Sequence, residues 1–187
     1  MEEEIKRAIE ALSQGKIILY PTDTIWGIGC DATNEEAVEK IYKIKQRTDS
    51  KSMLVLIDTA DKISRYIKEV PSIAWDIIEI NEEPLTIIFP EAIGLAPNLI
   101  AADKSIGIRI TKEAFTQKLI AKFKKPIVST SANIHGKSFP ANFDEISDEI
   151  KDAVDYIVNW RQDEVFRKKP SGIIKVEVNG EIKIIRE

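Results

Sequence analysis

Three cations, Lys45, Arg47 and Lys51, fall in one short stretch between an amphipathic segment and an apolar one. Far downstream, Ser129, Thr130, Ser131 and Asn133 end the extended run PIVSTSAN with hydroxyl and amide groups. A third polar row, Thr22-Asp23-Thr24, follows the strand-like KIILYP. Cations beside such donors suit an anionic or amino-acid ligand. One cation 4 Å from a partly exposed phosphate contributes about 4 kcal/mol at an effective dielectric of 20, before desolvation. Each group also has a plainer reading. Cations in a helix's last turn gain about 0.3–1 kcal/mol from its dipole, and a Ser/Thr row suits a solvated strand-to-loop transition. Convergence of these rows with Arg109 on one place decides between the two.

Other chemistries lack their residues. His135, the one histidine, sits beside Gly136 with no second ligand-type neighbour, which speaks against a metal or triad role. The single cysteine, Cys30, reads as a small buried residue and excludes an intrachain disulfide. No Walker P-loop, GxGxxG, GxSxG or HExxH occurs, so any nucleotide is held without the two commonest phosphate cradles.

The elements that must position these rows can be read from periodicity. Residues 3–14 carry Ile5, Ala8, Ile9 and Leu12 on one helical face. A buried strand, Ile17 to Tyr20, stops at Pro21. Trp26 and Ile28 then alternate with Gly27 and Gly29, which allow close approach or positive φ, and Trp26 is placed to line a pocket. Thr33 and Glu36 form a capping box for a helix burying Ala37, Val38, Ile41 and Ile44, and Met53 to Ile57 is a strand. Asp58 and Ser72 are candidate caps of two further helices, and Leu85 to Phe89 is a strand. In residues 105–110 Ser105, Gly107 and Arg109 share a strand face opposite Ile106, Ile108 and Ile110. Thr111 caps a helix through Phe123, residues 144–154 are helical, and Tyr156 to Val158 is a short strand. Asn179-Gly180 between two β-rich runs predicts a type I′ hairpin.

The chain has 187 residues, 43% of them hydrophobic, which suits one folding unit over 1–187. Its formal charge of −4 makes any anion site a local cluster and argues against a nucleic-acid binder. No run is apolar enough to span a bilayer and the N-terminus is acidic and amphipathic, so a cytoplasmic protein with no membrane contact is expected.

Together KIILYPTDTIWGIGCDA, the KQR at 45–47, KSM at 51–53, IGIRI at 106–110, STSAN at 129–133 and KPSGIIKV at 169–176 resemble the YrdC/Sua5 family over essentially the full length. The most specific part is the pairing of Lys-x-Arg with Ser-x-Asn, here Lys45 and Arg47 with Ser131 and Asn133, implied to be the catalytic tetrad. Thr48 and Trp26 depart from residues the family often has. The length resembles the short bacterial form.

The resemblance implies an α/β single domain, a twisted mixed sheet with helices on its faces around an open basic concave cavity. It implies L-threonylcarbamoyladenylate synthesis from L-threonine, bicarbonate or CO2, and ATP, serving threonylcarbamoyl modification of tRNA adenosine 37. Lys45, Arg47, Lys51, Ser105 and Asn133 would contact ATP, with Ala141 and Arg186 nearby. Thr24, Arg109, Ser131 and Ser171 would hold L-threonine, with Leu56 nearby. Mg²⁺ is expected on the ATP phosphates, without a protein metal site. Hand-over to a downstream tRNA threonylcarbamoyl transferase and weak RNA binding are the other partner expectations. The alternative is a non-catalytic RNA-binding or ATP-binding module of the same fold.

Overall fold

The computed structural model describes residues 1–46, 53–164 and 169–187. The apolar stripe at the N-terminus forms α1 (Glu2–Ser13), whose first turn carries Glu2, Glu3 and Glu4 against the positive end of the helix dipole. β1 (Ile18–Tyr20) is wholly buried and pairs antiparallel with β2 (Gly27–Gly29). α2 (Glu35–Lys45) follows. Its cap is Asn34, whose side chain accepts from Ala37 N, because Thr33 is already bound through both its N–H and its hydroxyl to Asp31.

β3 (Leu54–Ile57) leads to a 3₁₀ helix at Ala60–Arg65 rather than the expected α-helix. Asp58 does not cap it, since Lys62 Nζ lies 2.7 and 2.5 Å from the two oxygens of that carboxylate. Then come α3 (Ser72–Ile80), β4 (Leu85–Phe89), β5 (Ile106–Ile110), α4 (Ala114–Phe123) and β6 (Ile127–Ser131). Ser72 begins α3 without a side-chain cap, and Glu113, not Thr111, caps α4 by accepting from Thr116 N at 2.6 Å. α5 (Asp148–Ala153) starts later than expected, because Asn142 and Glu145 side chains bond the 141–145 backbone into a turn. β7 (Tyr156–Ile157), β8 (Gly172–Val176) and β9 (Ile182–Arg186) complete the described elements.

The hairpin between β8 and β9 closes differently from the predicted two-residue turn. Glu177 N bonds Glu181 O and Gly180 N bonds Glu177 O, and only Gly180, not Asn179, has positive φ. That is a three-residue loop with a glycine-αL bulge; a type I′ turn needs φ above zero at both central residues.

The strands join in one mixed sheet ordered β7-β1-β2-β6-β3-β5-β4-β8-β9. Side-chain alternation gives its faces different fates. Val55, Ile57, Ile87, Phe89, Ile106 and Ile108 enter the main core with Val38 and Ile41 of α2. On the other face Ile18, Tyr20, Leu56 and Ile127 meet Ile5, Leu12, Phe115 and Leu119 in a second core under α1 and α4. Thr86, Gly107, Arg109 and Ser129 are register partners of residues on that second face. No residue of α1 or α4 lines the space above them, so part of the face stays open as a cavity.

Candidate active site

The open part of the sheet is a cavity of about 950 Å³, within the range of small-molecule sites. Lys45, Arg109, Lys137, Lys175 and Arg186 line it, with Asp103 as its acidic member, although the whole chain carries −4. Members of each polar row singled out in the sequence meet here, Lys45 from the first, Ser129, Thr130, Ser131 and Asn133 from the second and Thr24 from the third, with Ser105, Arg109, Ser171 and Arg186.

Lys45 ends α2 and is 2% exposed. Its Nζ donates to Ser131 O at 2.6 Å, to Asn133 Oδ1 at 3.0 Å and to the Asn133 carbonyl. Ser131 Oγ donates to Asn133 Oδ1 at 2.5 Å, and Asn133 Nδ2 donates to Lys137 O at 2.6 Å. The lysine, serine and asparagine of the tetrad are thus one hydrogen-bonded unit fixing the turn after β6. Oxygens of Ser131 and Asn133 accept from the ammonium and hold it at the cavity wall.

Arg109 lies at the other end of β5's polar face and is 4% exposed. Its Nη2 is 3.1 Å from Asp23 Oδ1 in the turn after β1. Thr24 N bonds Thr22 Oγ1, and Thr116 Oγ1 bonds Pro21 O, which ties that turn to α4. Thr86 Oγ1 and Ser171 Oγ are 2.8 Å apart, and Arg186 donates Nε and Nη2 to Ser171 O at 3.0 and 2.8 Å. Burial, and then the Arg109 guanidinium, hold Arg186 below its ordinary pKa. Two guanidiniums therefore stand close together at this corner, Arg109 buried and Arg186 on the exposed strand β9.

Toward the start of β5, Ser105 donates Oγ and N to Asp103 Oδ1 at 2.5 and 3.1 Å, and Lys175 Nζ is 3.2 Å from Asp103 Oδ2. The Ser105 bond first, and Lys175 in addition, lower the Asp103 pKa. Ser105 and Arg109 are four residues apart on one strand, which separates the two ends of the cavity by about 13 Å.

A family profile for Sua5, YciO and YrdC, described as "Telomere recombination", matches residues 10–187. A provisionally named threonylcarbamoyl-AMP synthase of Methanocaldococcus jannaschii is 39% identical, covering 100% of this chain and 88% of its own. The chain belongs to the Sua5/YciO/YrdC family. The threonylcarbamoyl-AMP synthase of Pseudoalteromonas translucida is 32% identical over 83% of this chain and 84% of its own. E. coli YciO has the same fold, with TM-score 0.86, 25% identity and coverage of 100% of this chain and 90% of that one. P. abyssi Sua5, solved with L-threonine, matches with TM-score 0.83 and 24% identity over 94% of this chain. The chain spans about half the length of that Sua5, 52%.

Among the residues that the family resemblance singled out, Leu56 and Ala141 do not line the cavity. Leu56 is fully buried in the second core, and Ala141 N bonds Glu145 Oε2 at 2.9 Å. Arg47 and Lys51 lie outside the described residues. Arg186, grouped with ATP by the resemblance, sits on Ser171 and beside Arg109, with residues grouped with the amino acid.

Sequence reasoning missed Asp103, Lys137, Phe139 and Lys175 as lining residues, and it placed Asp23 in a polar row without its pairing to Arg109. Lys175 had a signal: Ser171, Ile173 and Lys175 alternate along one strand face. Trp26 does line the cavity, its ring 4.9 Å from that of Phe143.

Proposed function

We propose that this chain is a threonylcarbamoyl-AMP synthase, forming threonylcarbamoyl-AMP and pyrophosphate from L-threonine, bicarbonate or CO2, and ATP. The observation that carries the reading is the opening of the Lys45–Ser131–Asn133 unit and the Arg109–Ser171–Arg186 corner into one cavity. The names of the Methanocaldococcus and Pseudoalteromonas relatives support it. The cavity offers two anion-binding ends, and the reaction joins a carboxylate-bearing amino acid to a nucleotide.

The threonine amine takes up CO2 to become a carbamate, losing a proton. A carbamate oxygen attacks the α-phosphorus of ATP, and pyrophosphate leaves. No side chain need form a covalent bond, so the protein orients three reactants and stabilises negative charge spreading over the phosphoryl oxygens. Lys45 is assigned to that charge, together with Arg47 and Lys51. Ser105 and Asn133 are assigned to ATP; Arg109 with Arg186 is assigned to the threonine carboxylate; Thr24, Ser131 and Ser171 are assigned to the rest of the amino acid.

Mg²⁺ is assigned to the nucleotide phosphates, where it offsets their charge. Among the described residues no group of three or more His, Cys, Asp or Glu could hold a metal, and Asp103 is engaged by Ser105 and Lys175. Among the described residues no helix is long and apolar enough to cross a membrane, and we place the reaction in the cytoplasm, where the product passes to a tRNA threonylcarbamoyl transferase.

The test is pyrophosphate release with ATP, Mg²⁺, L-threonine and bicarbonate, each omitted in turn, while mass spectrometry looks for threonylcarbamoyl-AMP. Release that requires all three substrates, with the adduct present, is expected. ATP binding without threonine-dependent turnover would leave a nucleotide-binding module. Valine should replace threonine poorly, because a site that hydrogen-bonds the substrate hydroxyl discriminates strongly against an isostere that lacks it.

A further inference from the structure

Arg109 and Asp23 are a buried ion pair that is only partly satisfied. Their side chains are 4% and 8% exposed, and Nη2 stands 3.1 Å from Oδ1. Yet among the described residues Asp23 Oδ1 and Arg109 Nε are both buried without a hydrogen-bond partner of good geometry, and Asp23 Oδ2 accepts the long 3.4 Å bond from Lys112 N. A native structure leaves few such groups, and each needs a reason. Arg109 faces the cavity, while Asp23 belongs to the outer cleft lined by Lys112, Glu113 and Arg161. The ion pair therefore bridges the two and holds the guanidinium from the side of the outer cleft.

We infer that Asp23 is a positioning residue for amino-acid recognition: it holds the Arg109 guanidinium by Nη2 and so fixes the orientation in which the guanidinium meets the carboxylate of the incoming amino acid. This rests on the proposed synthase reading. The charge count agrees with it. Arg109 and Arg186 are mutually repulsive neighbours, and the Asp23 carboxylate cancels one of their two charges. One net positive charge remains for one carboxylate. A guanidinium recognises a carboxylate through a rigid planar fork, so its orientation sets affinity as much as its charge does.

The turn that carries Asp23 is itself held. Thr22 Oγ1 donates to Ile25 O at 2.7 Å, and Arg161 Nη1 reaches Thr22 O at 3.4 Å. The Asp23 backbone is thus held by bonds other than the ion pair, and an isosteric change at its side chain removes the carboxylate's charge and its hold on Arg109 while leaving those backbone bonds in place.

Initial rates of Asp23→Asn are measured with L-threonine and ATP varied separately, alongside calorimetric binding of L-threonine and of L-threoninamide, which lacks the carboxylate. The KM for L-threonine should rise at least about tenfold with the KM for ATP within about twofold. Threoninamide affinity should not change, and in an Arg109→Lys background Asp23→Asn should have little further effect. Should Asp23→Asn melt well below the parent, Asp23→Glu carries the test, since a carboxylate displaced by one methylene must also raise the threonine KM selectively. Equal losses for threonine and ATP, an unchanged threonine KM, or equal losses for threonine and threoninamide would overturn the inference. A parent protein that neither binds threonine nor turns over would overturn the synthase reading, and this inference with it.

Discussion

At the scale of single residues, the tetrad lysine has two jobs that one substitution separates. Lys45 Nζ sits among Ser131 O, Asn133 Oδ1 and the Asn133 carbonyl, so it sets the turn as well as presenting charge. Lys45→Met keeps the length and removes the ammonium, leaving those oxygens facing one another in a buried place. Losing hydrogen bonds from a charged donor costs about 1–3 kcal/mol. The variant should therefore lose about 1–3 kcal/mol of unfolding free energy in urea denaturation, and kcat/KM for ATP should fall more than about a hundredfold. An inactive variant of full stability would mean that the amine serves only the ligand. Arg109 and Cys30 show how burial sorts residues that composition alone cannot. Both are buried, but Arg109 borders the cavity, whereas Cys30 is enclosed and burial pushes its thiol pKa well up, out of the reactive range.

At the scale of elements, the site depends on how closely β2 and β6 approach. A Cβ on Gly29 would stand 2.4 Å from Val128 O and 2.7 Å from the Tyr20 ring, so the strands meet where only hydrogen fits. Gly29→Ala must splay β2 from β6 and shift Ser131, which pairs with Gly27 two residues away. It should cost about 1–3 kcal/mol by urea unfolding and raise the KM for ATP. Gly180→Ala is the control: its Cβ meets nothing within 4 Å, and φ of +85° is its only strain. That change should cost about 1–2 kcal/mol and leave both KM values alone. A Gly29 variant with parental stability would mean that the strands can part freely.

This level also shows what could be read in advance. The alternation that put Ser105, Gly107 and Arg109 on one face survives intact, because a two-residue period is set by backbone geometry. The caps moved, because Thr33 and Asp58 found nearer partners in Asp31 and Lys62, and such competition is tertiary. Asn179-Gly180 kept its place but not its turn type, and the glycine took the αL position of a longer loop. Asp23 was invisible as a partner of Arg109, since the two are brought together only by the sheet order.

At the scale of the whole molecule, charge is arranged against its own average. The chain carries −4, yet Lys45, Arg109, Lys137, Lys175 and Arg186 share a cavity in which, among the described residues, Asp103 is the acidic lining residue. Low-dielectric walls concentrate that local field, so a compact polyanion that enters feels the cavity and not the surface. Duplex RNA samples a broad surface, and its affinity depends on how many phosphates are neutralised at once. The two ligands must therefore separate. The KM for ATP should rise several-fold between about 50 and 500 mM salt as screening shortens the field. A duplex RNA should show no saturable binding at tens of micromolar at about 150 mM salt, in fluorescence anisotropy with the labelled duplex. Saturable RNA binding below about 1 µM, with a steep fall of log affinity against log salt, would reverse the assignment. The cations of the cavity would then belong to an extended RNA track, and ATP would be the secondary ligand.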